Sequence, residues 1–424
     1  MLVRAFERLA PLPRVVALFV GLVLPQALLG LPIAAAAIGT LPAVGIVVGV
    51  GVVMTLASAA EAAALARDEE FRRRGGFFGM VVERWLGQRA AAIPDALAGL
   101  RTSMSVLASY VGLSVTLAAL TGAARVLWGA VAFAAVAVLL ARGGLRIPSA
   151  LGASLGLACL PLLVAIAAIA VVHGGGGGAP ERVAGAGVGD VLGLVVMLYI
   201  ANVYVVGIAR EVLPKAPDGR ALVRGSAIGT VLVTAIAAGW LLACSAALSP
   251  EALRGEVGTV LGPLADETGV ATVVLGTALT LMLLGLGMER TSVAVMNLVA
   301  ERLPGERRLV PVLAPLAVCV VGEALLAADA VTFSAIFGVA GVATNVLLAI
   351  ALPLLLAHAA RAWGIGSRAV AWSGVALSVV LLVAFATVLS DDLLRTVAAV
   401  VALAALGATI ALARRAGAFA RRAS

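Results

Sequence analysis

Residues 22–39 read LVLPQALLGLPIAAAAIG, an apolar run of membrane-spanning length that carries its own interruptions. Pro25 and Pro32 each lack an amide donor and disfavour the helical turn before them. Gln26 and Gly30 lie between the two prolines. Hydrocarbon offers no water to backbone groups freed in this way. A broken span is therefore tolerated only where it faces protein or a wet cavity. A kink packed between helices meets that condition, and so does a solute site. The residues of this stretch leave both open.

The rest of the chain places that stretch in a membrane. Of its 424 residues, 62% are apolar and 12% charged, and the mean hydropathy is +1.14. Soluble domains are nearer half apolar and a quarter charged, and a water-soluble core stops growing well before this length. About 20 mostly apolar residues make a span. Spans are predicted at 15–38, 40–66, 97–121, 126–140, 148–172 and 191–208, then at 227–248, 270–288, 309–328, 331–357, 370–389 and 397–413. The runs are too long and too continuously apolar for barrel strands, so the expected class is an all-α polytopic membrane protein with about 12 transmembrane helices.

Charge orients the map. With the amino terminus inside, most of the 30 basic residues fall in cytoplasmic segments, including Arg72, Arg73 and Arg74, Arg307 and Arg308, and Arg421 and Arg422. The other side holds Arg125, Arg182, Arg254 and Arg395. This asymmetry predicts an even span count and cytoplasmic termini. Lys215 is the sole lysine and alanine is abundant, a bias of GC-rich bacterial genomes, so a bacterial inner membrane is expected. The first apolar run is too long for a cleavable signal peptide.

Several function classes lose support. The net charge of +8 comes with 4% aromatics, so neither a stacking surface nor a nucleic-acid partner is expected. Cys159, Cys244 and Cys319 are isolated in apolar runs, and His173 and His358 are far apart, which leaves zinc, haem and iron–sulfur cofactors without ligand spacing. The glycine run 174–178 lacks the G-x-x-x-x-G-K-[ST] pattern and reads as a linker. The segment FRRRGGFFGMVVERWLGQR, 71–89, reads as a cytoplasmic connector with a surface-lying part. A membrane enzyme would need clustered His, Asp, Glu or a Ser–His arrangement.

A second interruption lies in the sixth span, VMLYIANVYVVGIAREVLPK, residues 196–215, where Tyr199, Asn202 and Tyr204 put polar tips mid-span. Such groups usually face a bundle interior or a pathway. Interrupted segments at corresponding places in two halves point to a transporter built of inverted repeats. Here five spans separate them, and an odd repeat length inverts the second copy.

The stretch ALLGLPIAAAAIG, Ala27 to Gly39, resembles the first-span signature of the amino acid/auxin permease family, roughly G-x-G-[IL]-L-x-[LF]-P-x-A. YIANVYVVGIAREVLPKAPDGRALVRGSAIGT, 199–230, resembles that family's sixth span, basic loop and start of the seventh. The family belongs to the amino acid–polyamine–organocation superfamily. The resemblance implies a single transmembrane domain of two inverted five-helix repeats, about 12–173 and 188–360, with two extra helices at about 369–413. It implies a substrate site at Pro25, Gln26, Ala27, Leu28, Leu29 and Gly30 in span one, and at Tyr199, Ile200, Ala201 and Asn202 in span six. Ser109 and Tyr110 in span three join them by position. The family's glycines that free amides for a substrate carboxylate are here Pro25 and Ala27, and proline offers no amide.

Uptake against a gradient needs a coupling ion, H+ or Na+. Glu323 is the most interior-looking carboxylate and the candidate proton carrier. Thr277 and Thr280 are the candidate sodium ligands. Glu289 and Arg290 are expected at the cytoplasmic end of span eight, with Arg101 snorkelling to the inner interface. The function expected is a secondary active transporter (permease) for amino acids or related small organic solutes, working by alternating access. A twelve-span exporter or facilitator of two six-span halves is the alternative. Its partners are the bilayer and a small solute, and nothing in the sequence sets an oligomeric state.

Overall fold

The structure, a computed structural model, describes residues 6, 8–23, 26–74, 88–141, 149–174, 187–199, 201–302, 309–338, 340–341 and 344. The predicted spans eleven and twelve, most of span ten, Pro25, Ile200 and the linker 175–178 lie outside them. Every regular element among the described residues is helical. That follows from the solvent, since in hydrocarbon a backbone must satisfy its polar groups within the segment.

The first span comes in three pieces. Helix α1, Pro11–Val23, opens with two prolines in its first turn, where no intrahelical bond is lost. A 3-10 turn, Gln26–Leu29, follows, and then α2, Leu31–Ala35, again with proline in its first turn. Gly39, at φ 89°, reverses the chain into α3, Thr40–Arg67. A short α4, Glu69–Arg74, leads away. Helix α5, Gln88–Thr121, ends at Gly122, whose φ of 69° lets the chain turn into α6, Arg125–Ala141. Helix α7 is Ser149–His173.

The sixth span is also broken: α8, Gly187–Leu198, stops at Tyr199, and α9, Ala201–Val212, resumes after Ile200. Helix α10, Arg220–Ala247, is followed by α11, Pro250–Leu253, and α12, Leu261–Thr268. The eighth span is α13, Val270–Thr280, a π-turn at Leu281–Gly285, and α14, Leu286–Arg302. Helix α15, Leu309–Ala327, comes next, and residues 333–338 begin another helix.

Five helices of the described part are long and apolar enough to cross a membrane. Helices extend past the predicted spans wherever polar residues can ride beyond the hydrocarbon, as at Gln88 and Arg302. One expectation is corrected by this: Glu289 and Arg290 do not end span eight, which runs on to Arg302, and Glu289 is buried. Arg101 is buried too, rather than snorkelling, in the middle of α5.

Helix α10 packs along α3 and α1, and α1 also packs on α7; α5 gathers α6, α14 and α15. Small residues set these distances. A Cβ on Gly156 of α7 would stand 1.8 Å from the Gly21 carbonyl oxygen of α1. Gly225 and Gly229 of α10 likewise receive Val15 and Phe19 of α1. Without a hydrophobic drive between helices in lipid, close backbone approach of this kind is what holds them. Leu41, Val52, Val126, Val164 and Val274 point outward and keep the bundle surface apolar. The chain is a polytopic helical membrane protein.

Candidate functional site

The two broken spans meet. The 3-10 turn and α2 both pack on α8, and the prolines explain why no continuous helix forms on the first side. Ala27, Leu28, Leu29 and Gly30 are buried there. Gln26 starts the 3-10 turn and reaches across the bundle. Its Oε1 accepts from Ser109 Oγ of α5 at 2.6 Å. Its Nε2 lies over Gly287 of α14, where an added Cβ would come within 1.2 Å. Ser109 Oγ is also 2.6 Å from the Ser105 carbonyl, so its single proton serves one acceptor at a time.

One end of this site is closed. Phe333 is fully buried between Gly30 and Gly112, at which added Cβ atoms would lie 2.9 and 2.5 Å from its ring. The Phe333 amide donates to the Val257 carbonyl at 2.9 Å, and the Val260 amide to the Leu29 carbonyl at 3.0 Å. The hydroxyls of Thr116 and Thr259 are 2.9 Å apart. The loop 257–260 thus fastens the first-span break, α5 and the helix at 333 to one another. Burial pushes the Glu256 carboxyl of this loop above the usual range and Asp266 adds to it, while the Gly258 amide, donating at 2.7 Å, works the other way.

Other expected site residues go elsewhere. Tyr199 sits at the sixth-span break, but its hydroxyl turns away from span one. It lies 3.0 Å from the Val47 carbonyl and 2.9 Å from Thr234 Oγ1, pinning the break to α3 and α10. Tyr110 faces away from Gln26 and donates to Glu323 Oε2 at 3.0 Å. Glu323 in turn pairs with Arg125 at 3.0 Å, with side chains 33% and 28% exposed. Thr277 and Thr280 donate to their own helix at the Val273 and Gly276 carbonyls, both 2.7 Å. Ala201 and Asn202 lie in the first turn of α9.

Sequence reading missed three residues. Phe333 looked like any apolar residue of span ten, and Gly287 like a neutral gap. Glu61 of α3 is the third: it is 2% exposed, so Glu323 is not the most interior carboxylate. An intramembrane acid in ASAAEAAALAR, 57–67, was the signal available.

This polytopic helical fold is shared with solved membrane transporters. A manganese transporter of Eremococcus coleocola superposes with a TM-score of 0.66 at 15% identity, over 95% of this chain and 94% of that one. The same transporter in complex with an aromatic bis-isothiourea substituted compound gives 0.63 at 15%, over 95% and 96%. Mhp1, a nucleobase-cation-symport-1 family transporter, in a closed conformation with bromovinylhydantoin bound, gives 0.54 at 15%, over 96% and 92%. The likeness is one of fold: it supports a membrane transporter fold and does not single out the amino acid–polyamine–organocation permeases. No protein-family model matches the sequence, and no curated protein matches it.

Proposed function

We propose that this chain is a secondary active transporter of small organic solutes, amino acids or related compounds, driven by an ion gradient. The observation that carries the reading is Gln26, held at the first-span break between Ser109 and Gly287. An amide, a hydroxyl and broken-helix backbone suit a neutral or zwitterionic polar solute. A divalent cation wants carboxylates or imidazoles. Residues 24–30 and 197–204 contain no Asp, Glu or His, and the described residues hold no cluster of three such metal-ligating groups. Manganese, the cargo of one structural neighbour, is for that reason not the substrate proposed.

Alternating access would use the two inverted repeats. Elements near a two-fold axis meet their own equivalents, and a five-span offset pairs spans one with six, two with seven, three with eight and four with nine. All four pairs pack together: α2 on α8, α3 on α10, α5 on α14 and α6 on α15. This supports the five-span repeat over two six-span halves. The bundle would rock around the Gln26 level, in a bacterial inner membrane with cytoplasmic termini.

The test is uptake by proteoliposomes offered labelled amino acids, with and without proton or sodium gradients. Gradient-driven accumulation of at least one is expected. Gln26→Ala should lower it about tenfold, the scale of one buried hydrogen bond lost. No uptake of any of them by folded protein removes the amino-acid assignment.

A further inference from the structure

We propose that Glu61 is a proton-binding site, built with Ser58, Ser226 and Thr230 into the interface of spans two and seven. Glu61 lies two turns from the end of α3, 2% exposed, and its Oε2 has no hydrogen-bond partner among the described residues. Helices α3 and α10 run antiparallel, in a register fixed at three levels. Gly51 faces Thr234, Ser58 faces Thr230 with 3.5 Å between the hydroxyl oxygens, and Ala66 faces Gly219. Interpolating between the last two levels brings Glu61 opposite Ser226. The Ser226 hydroxyl is fully buried and also lacks a partner.

Among the described residues, the surrounding charges are directed elsewhere. Arg14 of α1 is bonded to Glu211 of α9. Arg210 of α9, Arg220 and Arg224 of α10, and Glu69 and Arg72 of α4 are exposed. Asp68 accepts from the Phe71 amide, and Asp190 sits in the first turn of α8. Tyr199 bonds at the Val47 and Thr234 level, away from Glu61. None of these groups bonds to Glu61. An ionised carboxylate without a counter-ion in such a place is several kcal/mol too costly, so it carries a proton or a metal cation. Hard metal cations need several oxygens and the room to arrange them. Ser58, Ser226 and Thr230 are at most 1% exposed in close-packed helices, and a proton needs no such room.

The site is placed to sense movement of the broken first span. Gly225 and Gly229, flanking Ser226, are the positions at which α10 receives Val15 and Phe19 of α1. Displacing α1 would uncover this layer to water and let the proton leave. Coupling of that proton to solute flux rests on the transporter reading, while the proton site itself does not.

Two measurements test it on the full chain. Infrared difference spectra of wild type against Glu61→Gln, at pH 7 without sodium, should show one neutral carboxylic-acid carbonyl band lost in the variant. Glu61→Asp should keep such a band. An ionised-carboxylate difference overturns the proposal, and so does a neutral-acid band that vanishes when sodium is added. In proteoliposomes, Glu61→Gln should lose at least tenfold of pH-driven accumulation of any amino acid that wild type takes up, yet keep solute-for-solute exchange. Equal pH-driven accumulation, or loss of both activities at an unchanged melting temperature, overturns the coupling. A wild type that takes up nothing defeats the transporter reading instead, and the infrared band alone then decides the proton site.

Discussion

At the scale of single residues, Gln26 and Tyr199 were both visible as polar groups in broken spans, yet they do different things. Gln26 crosses to Ser109, whereas Tyr199 anchors to Val47 and Thr234. A helix that is apolar all round has no sequence-encoded face, so the direction of a polar tip is set by packing. The same holds for Ser109 and Tyr110, which as neighbours point about 100° apart around a 3.6-residue turn; only the first reaches Gln26. Tyr199→Phe should therefore cost about 1 kcal/mol of stability, seen as a lower melting temperature with an unchanged KM for uptake. A raised KM at constant melting temperature would make Tyr199 a substrate ligand after all. Gly287→Ala should behave oppositely. Its new methyl meets the flexible end of Gln26, so Gln26 swings away from Ser109, uptake falls as in Gln26→Ala, and melting changes little.

Elements were more legible than residues. Apolar run lengths predict most of the first nine spans to within a few residues, because hydrocarbon dictates both length and helicity. The breaks in spans one and six were legible from Pro25, Pro32 and the polar cluster after Leu198. The π-turn at Leu281–Gly285 was not, since no proline or polar residue marks it; a ladder slip of this kind arises from packing against neighbours. The backbone contact of Gly21 with Gly156 fixes how α1 meets α7. Gly156→Ala must push the two helices apart and should destabilise by about 1–3 kcal/mol, read by thermal melting in detergent. The loop 257–260 gives a pH prediction. Folding raises the Glu256 carboxyl above its ordinary value, mainly by burial. The folded loop then binds more protons than the open one, so closure weakens as pH rises from the ordinary carboxylate range through the raised value. Hydrogen exchange of the Val260 amide should accelerate over that window beyond its intrinsic pH dependence, and Glu256→Gln should abolish the excess.

At the scale of the whole molecule, two ion pairs mark the two ends of the bundle. Arg14 of α1 meets Glu211 of α9, and Arg125 at the start of α6 meets Glu323 of α15. In the proposed repeats each pair joins equivalents, span one to span six and span four to span nine. The first ties α1 to α9, one half of each broken span, so these halves would move as one body. Neither pairing was legible in the sequence, because partners 197 and 198 residues apart leave no local pattern. Their energetics should differ. Arg14 is nearly buried, its side chain 7% exposed, and its removal takes a close cation from a part-buried carboxylate, so Arg14→Ala should destabilise by up to about 3 kcal/mol. The Arg125 pair is partly hydrated and screened, so Arg125→Ala should cost no more than about 1 kcal/mol, an effect that shrinks with added salt. Thermal melting of both variants at low and high salt separates the cases. Equal, salt-sensitive losses at the two ends would mean that the Arg14 pair is solvated and does not bind the broken spans into one moving unit.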